Sequence, residues 1–251
     1  MRLKFIGTGS GLTSLKRFHS SILLSSSGHK LLVDVGDGIS KALLNEGEDF
    51  NKIDSIIISH YHPDHFSGIA TLLVQMKILE RTKSLKIFTH TKLIDDLKSF
   101  VFACNIFFET FKFKVDIVGF EFDEKLRIGD SIICLPKQNS HITNKHNLKI
   151  DFPFISSSFL FTIGNQNIVY TADIGSSNDL LLFSEFPIDY FIVDSTHVEL
   201  DKIGNAVAKM KPANVILTHI GDKDENDIVN WVKEQNINRN IFQISKDGLE
   251  I

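Results

Sequence analysis

The stretch SHYHPDH, residues 59–65, constrains the fold and chemistry of this chain more than any other feature. It places His60, His62, Asp64 and His65 within six positions, directly after the apolar run IDSIIIS. A continuous apolar run of this kind is typical of a strand that is covered on both faces. Titratable side chains at the end of a buried strand are costly to desolvate unless something binds them. The stretch therefore predicts a ligand-binding loop at the end of a buried strand.

Four further segments place a side chain that can bind a metal where a predicted strand has just ended. These side chains are His141 after SIICLPKQNS, Asp173 after NIVYTA, His197 after DYFIVDST and His219 after ANVILT. Strand ends at one edge of a sheet converge, and sites are commonly built from the loops there. Imidazole and carboxylate groups without thiolates suit zinc, iron or manganese. The sequence therefore predicts a metal centre at this edge.

The spacing inside the 59–65 stretch indicates two neighbouring metals. A tight loop can direct the first two histidines to one ion and the Asp64–His65 pair to the next position. His141 and His219 can each complete one cluster, and a single further carboxylate such as Asp173 can bridge the two ions. Such a pair of ions acts as a template, a Lewis acid and a source of hydroxide at neutral pH.

Composition excludes several classes of protein. The chain has 251 residues, of which 43% are hydrophobic and 23% are charged, as in ordinary globular proteins. A net charge of −4 provides no global basic field for nucleic acid. No apolar run approaches the roughly 18 residues of a membrane span, and no signal peptide is recognisable. We therefore expect one domain over residues 1–251, in the cytoplasm, with Cys104 and Cys134 reduced.

The hydrophobic patterns predict two β-rich halves interleaved with helices. Short strands alternate with helical patterns from the N-terminus to about residue 103, and β patterns dominate from about 112 to 171. This order predicts an α/β fold, an αββα sandwich of two sheets with helices outside. The predicted elements include a helix within 66–83, a hairpin turning at Gly164–Asn165, a helix over 225–235, and strands over 240–245 and 248–251.

Several other residues have a less specific interpretation. His29, His90 and His146, each taken alone, are expected to be surface or hydrogen-bonded residues rather than ligands. The segment GTGSG (7–11) lacks the helix that follows a dinucleotide-binding fingerprint, so its backbone N–H groups, with Ser140, are candidates to line the site. Eight phenylalanines between residues 100 and 122 predict core packing together with a homodimer contact.

The chain resembles a known superfamily over essentially its whole length. The element H-x-H-x-D-H, a later His, a bridging Asp and a final His in LTH resemble the metallo-β-lactamase fold hydrolases. The segments FIGTGSG, RFHSSILL, LLVDVGDG and YTADIG are similar to ribonuclease Z and its phosphodiesterase relatives. The tail, VILTHIGDK followed by KDGLEI, resembles the cyclic-phosphate phosphodiesterase of the carbon–phosphorus lyase pathway.

The resemblance implies a role for each residue of the centre. His60, His62 and His141 would hold one divalent ion, and Asp64, His65 and His219 the other, with Asp173 bridging them. Zinc is the first expectation for both ions, with manganese or iron as alternatives. Asp64 would also orient the nucleophile. His197, which lies 22 residues before His219, would face the scissile phosphate as a hydrogen-bond or proton donor.

These observations predict a dinuclear metal-dependent hydrolase, a phosphodiesterase acting on small or cyclic phosphodiesters or RNA ends. Bacterial ribonuclease Z inserts a transfer-RNA-gripping arm between its third ligand segment and its bridging Asp. The corresponding interval here, His141 to Asp173, is only 32 residues. The chain also has no cysteine before Cys104, unlike the zinc site near the N-terminus of the phosphonate-pathway enzyme.

Other functions stay open at this level. A ribonuclease Z-type transfer-RNA 3′ endonuclease and a lactone or thioester hydrolase of the same superfamily are the alternatives within hydrolysis. A di-iron redox protein would be expected to replace a His ligand by a carboxylate and to carry a flavin domain, whereas this chain keeps His62. A metal-binding regulator without turnover is the remaining class.

Overall fold

The first of two β-sheets comes from the N-terminal half. In the computed structural model, which describes residues 1–234 and 241–251, six strands form this sheet in chain order. They are β1 (Arg2–Gly7), β2 (Ser21–Ser26), β3 (His29–Val33), β4 (Ser55–Ile57), β5 (Leu85–His90) and β6 (Val115–Phe120). Strands β1 to β3 pair antiparallel, and β3 to β6 pair parallel.

The second sheet repeats this plan with seven strands. They are β7 (Leu126–Ile128), β8 (Ile132–Gln138), β9 (Ser157–Ile163), β10 (Gln166–Tyr170), β11 (Tyr190–Asp194), β12 (Asn214–Thr218) and β13 (Phe242–Ile244). Strands β7 to β10 pair antiparallel, and β10 to β13 pair parallel. The parallel strands in both sheets bring their carboxyl ends to one edge of the molecule.

Helices cover the outer faces of both sheets. They are α1 (Ile39–Asn45), α2 (Pro63–Phe66), α3 (Ile69–Ile78), α4 (Ile94–Ala103), α5 (Leu200–Met210) and α6 (Glu225–Glu234). Within the described ranges, no helix is both long and apolar enough to cross a membrane.

Three apolar clusters define the layers. The central cluster lies between the sheets and includes Phe5 and Phe161. A second cluster packs α1, α3 and α4 against the first sheet, and a third packs α5 and α6 against the second sheet. The predicted αββα sandwich is therefore confirmed.

Several predicted elements differ in detail from the structure. The helix predicted within 66–83 is α3, Ile69–Ile78, which begins after Gly68; Phe66, the last residue of α2, belongs to the preceding helix. A Cβ atom on Gly68 would lie 2.3 Å from the carbonyl oxygen of Gly36, so the chain bends where only glycine fits. The predicted hairpin at Gly164–Asn165 is confirmed as the β9–β10 turn.

The C-terminal segment also departs from the prediction. The predicted strand over 248–251 is not a regular strand, although Leu3 and Ile251 exchange two backbone hydrogen bonds of 2.8 Å along the edge of β1. Gln235 of the predicted α6 region and Asn240 of the predicted last strand lie outside the described residues.

The phenylalanine-rich segment is only partly buried. Phe113 and Phe120 are buried in the two core clusters of the first sheet. Phe102 and Phe107 are 64% and 38% exposed and meet edge to face. Core packing is confirmed for the buried members, and the homodimer contact stays a prediction.

Candidate metal centre

The loop after β4 carries the four titratable residues of the 59–65 stretch. Pro63 begins α2 at the first helical position, where the missing N–H costs nothing. Its fixed φ turns the chain sharply after His62, so Asp64 and His65 project from the helix while His60 projects from the strand end. His60, Asp64 and His65 are all buried.

The remaining predicted ligands come from the second sheet. His141 and Asp173 lie three residues beyond the ends of β8 and β10, and His219 directly follows β12. Ala172 and His219 adopt left-handed backbone conformations, with φ of 50° and 59°. Such conformations cost about 1 kcal/mol or more for a side chain with a Cβ, and they cluster at functional sites. The backbone is thus bent at the positions that direct these side chains inward.

Asp173 lies at the centre of the arrangement. Its Oδ1 is 2.9 Å from Nε2 of His65 and 3.2 Å from Nε2 of His219. Its Oδ2 is 3.6 Å from Nε2 of His141 and 3.9 Å from Nε2 of His60. The two oxygens of one carboxylate therefore face different groups of imidazoles.

These side chains form two clusters that share Asp173. In each cluster the candidate ligand atoms lie within 4.8 Å of one another. The first cluster is His60, His62, His141 and Asp173, and the second is Asp64, His65, Asp173 and His219. These are the groupings that the sequence predicted.

The buried polar atoms of the clusters support a metal. Three of them, His60 Nε2, His65 Nε2 and Asp173 Oδ1, are buried and make no well-aligned hydrogen bond among the described residues, although the last two lie 2.9 Å apart. Leaving such groups unpaired costs about 1–3 kcal/mol each, and a bound cation removes that cost. Nitrogen and carboxylate donors without sulfur match zinc, manganese or iron. The residues therefore fit divalent metal ions.

Electrostatics differ between the two clusters. Burial, reinforced by the neighbouring histidines, lowers the pKa of His60 well below its ordinary value. Burial also lowers the pKa of His141, to about 4. Burial lowers the pKa of His219 as well, but Asp173, Asp194 and Asp64 outweigh it and raise that pKa to about 10. The carboxylates make the second cluster the more attractive to positive charge.

Asp34, which follows β3, also supports the centre, although the sequence patterns did not single it out. Its carboxylate lies 2.8 Å from Nδ1 of His65, accepts hydrogen bonds from the backbone N and Oγ of Ser59, and accepts a 3.0 Å bond from the Tyr170 hydroxyl. It therefore fixes which nitrogen of His65 faces the cluster. Asp34 was visible in the sequence as a carboxylate at a strand end, in LLVDVG.

Asp194, the last residue of β11, was also missed. Its Oδ2 lies 2.7 Å from Nδ1 of His197, and its Oδ1 lies 3.5 Å from Nδ1 of His219. It stands three positions before His197 in DYFIVDSTH, which is the same strand-end signal.

His197 lies at the mouth of the site. Its side chain is 34% exposed, and its Nε2 is 4.0 Å from Oδ2 of Asp173. The hydrogen bond with Asp194 outweighs burial and raises the pKa of His197. Asp173, Asp194, His197 and His219 form a third group with ligand atoms within 4.8 Å. In that group, however, Nδ1 of His197 already forms a hydrogen bond with Asp194.

The expectation about backbone N–H groups is wrong at three positions. The N–H of Gly9 bonds to Phe18, that of Ser10 bonds to Ile220, and that of Ser140 bonds to the Asp179 carboxylate. These donors are used within the fold. Gly11 does lie beside the site, since a Cβ there would be 3.2 Å from Oδ2 of Asp64.

Comparison with known proteins places the chain in a family. The family described as "Anti-Pycsar protein Apyc1" matches residues 1–237, and the chain belongs to it. The chain is also 32% identical over 157 residues to a ribonuclease Z of Saccharolobus solfataricus, and 32% identical over 89 residues to one of Methanopyrus kandleri. These matches cover 60% and 36% of this chain, but only 52% and 32% of the relatives' own lengths.

Solved structures share the fold along the whole chain. The metallo-β-lactamase fold protein YhfI from Bacillus subtilis superposes with a TM-score of 0.77 at 21% identity, covering 100% of this chain and 98% of that one. The short form of human tRNase Z gives a TM-score of 0.74 at 17% identity, with coverage of 100% and 98%. A diphosphatase of the PhnP family gives 0.71 at 17% identity, with coverage of 100% and 96%. The predicted metallo-β-lactamase fold is confirmed.

Proposed function

We propose that the chain is a dinuclear metal-dependent phosphodiesterase that hydrolyses small or cyclic phosphodiesters. The proposal depends on one observation: the two carboxylate oxygens of Asp173 face separate clusters of imidazoles. Paired divalent ions bridged in this way are a recurrent solution for in-line displacement at phosphorus.

Each cluster would hold one ion, zinc first, with manganese or iron as alternatives. His60, His62 and His141 would hold the first ion, and Asp64, His65 and His219 the second, with Asp173 shared. Bound there, divalent ions would supply Lewis-acid chemistry for the phosphate oxygens and a source of hydroxide at neutral pH.

The protein's own groups would position and protonate the reactants. Asp64 lies on the second cluster, 3.3 Å from Nε2 of His219, where its carboxylate can accept a hydrogen bond from the attacking water. Nδ1 of His197 is held by Asp194, so Nε2 is the nitrogen directed at the mouth of the site. This nitrogen is placed to donate to the phosphate or to the leaving oxygen.

The loop between β8 and β9 supports a small substrate. Residues 139–156 contain no helix or strand, and β9 and β10 take up most of the rest of the interval to Asp173. The interval therefore contains no extended arm of the kind expected for gripping transfer RNA. The relatives named ribonuclease Z support RNA as the alternative substrate.

A substrate screen of the metal-loaded protein tests the proposal. We expect two metal ions per chain by elemental analysis, hydrolysis of bis-p-nitrophenyl phosphate and 2′,3′-cyclic nucleotides, and little cleavage of precursor transfer RNA, lactones or thioesters. His62→Ala should abolish hydrolysis, whereas His146→Ala, an exposed histidine outside the clusters, should not.

Three outcomes would change the conclusion. Binding of one ion at most would contradict the dinuclear centre. Efficient 3′-end cleavage of precursor transfer RNA at physiological salt would favour the ribonuclease Z alternative. Hydrolysis confined to lactones or thioesters would reassign the substrate class.

A further inference from the structure

The carboxylate of Asp179 is buried next to the metal centre but belongs to neither cluster. It accepts hydrogen bonds from the backbone N of Ser140 at 3.2 Å and from its Oγ at 2.6 Å. It also accepts from the backbone N of Gly175 at 2.9 Å and of Ser176 at 3.0 Å. Among the described residues it forms no ion pair, so these dipoles alone compensate its buried position.

The residues bound by Asp179 flank two predicted ligands. Ser140 immediately precedes His141, and Gly175 lies two positions after Asp173. The two loops touch directly, because a Cβ on Gly175 would lie only 2.0 Å from the carbonyl oxygen of Ser140. Asp179 therefore joins the loop of one ligand to the loop of another.

The sheet itself does not align these loops. They follow β8 and β10, which are separated by β9 and share no ladder of hydrogen bonds. Two longer direct links join them, 3.3 Å from Nδ2 of Asn139 to the carbonyl oxygen of Thr171 and 3.2 Å from Oγ of Ser140 to Oγ of Ser176. Most of the hydrogen bonding between the two loops thus runs through Asp179.

We propose that Asp179 is a positioning residue for the first cluster, holding the His141 loop against the Asp173 loop so that both side chains reach one metal position. The proposal rests on the metal centre proposed above. The second cluster does not depend on the hydrogen bonds of Asp179, because Asp64 and His65 come from α2 and His219 directly follows β12. Asp173 is also held independently on that side, through the Ile174 N–H bond to Asp194 at 3.2 Å.

The substitution Asp179→Ala tests this role. Oδ2 of Asp179 accepts from the backbone N atoms of Ser140, Gly175 and Ser176 and from the Ser140 hydroxyl, so an asparagine oxygen could replace it, whereas alanine removes all four hydrogen bonds. Residues that orient metal ligands typically contribute about 10–100-fold in metal affinity. We expect a loss of that size for the first cluster only.

Two variants that each lose one cluster allow the zinc affinity of the other cluster to be measured alone. In a His219→Ala protein, which retains the first cluster, Asp179→Ala should weaken zinc binding by about 10–100-fold in competition with a chromophoric chelator. In a His141→Ala protein, which retains the second cluster, the same substitution should change zinc affinity by less than about threefold. Ser140→Ala, which removes the hydroxyl bonds to Asp179 at 2.6 Å and to Ser176 at 3.2 Å but keeps the backbone bond, should give a smaller loss in the first background and none in the second.

A matched control variant tests whether a substitution of this kind changes zinc affinity through a general effect on folding. Asp189 accepts a 2.7 Å backbone hydrogen bond from Asn167 far from the centre, so Asp189→Ala should leave zinc affinity unchanged in both backgrounds. An equal loss in both backgrounds, no loss in either, or no zinc binding by the wild-type protein would overturn the inference. Wild-type protein that binds two zinc ions but hydrolyses no phosphodiester would contradict only the proposed function.

Discussion

Replacing His197 by alanine separates proton donation from metal binding and from folding. The side chain is 34% exposed, and its closest polar contact is the 2.7 Å bond with Asp194. Asp194 keeps other donors, including the backbone N–H groups of Thr196 at 2.9 Å and Ile174 at 3.2 Å. Because no buried charge is left unpaired, we expect the free energy of unfolding to fall by about 1 kcal/mol or less.

The effect on turnover should depend on the leaving group. A positioned general acid typically contributes about 10²–10⁴-fold, so hydrolysis of an alkyl or ribose ester should fall by that factor. Nitrophenolate leaves without a proton, so hydrolysis of bis-p-nitrophenyl phosphate should fall by about tenfold or less. The ratio of the two losses is therefore the informative quantity.

The assay measures kcat on both ester types, with the metal content determined on the same samples. His146→Ala serves as the control for removal of an imidazole. Loss of a metal ion would show that His197 is a ligand, as the third group of candidate atoms allows. Equal losses on both esters would refute proton donation, and unchanged activity would leave His197 a purely structural residue.

Two further predictions concern stability. Arg81 is 1% exposed and donates all five of its N–H groups to backbone carbonyl oxygens, so Arg81→Met should lower the free energy of unfolding by about 3–5 kcal/mol in urea titrations. Arg2 is only partly buried and pairs with Glu250 at the surface, so Arg2→Met should cost about 1 kcal/mol or less, and equal losses for the two variants would contradict this account. Burial raises the pKa of Glu48, but the bond from Lys30 and nearby cations outweigh it and lower that pKa below 4.5. Glu48→Gln should therefore lose about 1 kcal/mol at pH 7, and the difference from wild type should disappear as the pH falls through the lowered pKa; a difference that persists in acid would contradict the linkage.

The grouping of the candidate ligands could be predicted because each signal is local. A titratable side chain directly after an apolar run is visible in the sequence, and parallel strands bring such ends to one edge. The pairing of His60 with His62, and of Asp64 with His65, also follows locally from the turn at Pro63.

The supporting contacts could not be predicted, because their partners come from distant parts of the chain. Asp34 meets Tyr170 of the other sheet, 136 positions away, and nothing near either residue indicates the pair. The N–H of Ser140 was expected to face the site, but Asp179, 39 positions later, accepts it. The break at Gly68 likewise depends on the approach of the Gly36 backbone.

The candidate ligands are divided between the two sheets, so the proposed metal centre can form only once the chain has folded. Each cluster takes two side chains from the loop after β4 in the first sheet and the others from loops of the second sheet. Neither half of the chain contains a complete cluster, so tight binding requires the sheets to be packed face to face. The hydrogen bond from Tyr170 to Asp34 crosses the same interface and ends on the carboxylate that orients His65. A metal that binds only the packed state adds its binding free energy to the stability of that packing. Packing of the central core and occupancy of the centre are therefore coupled through the same interface.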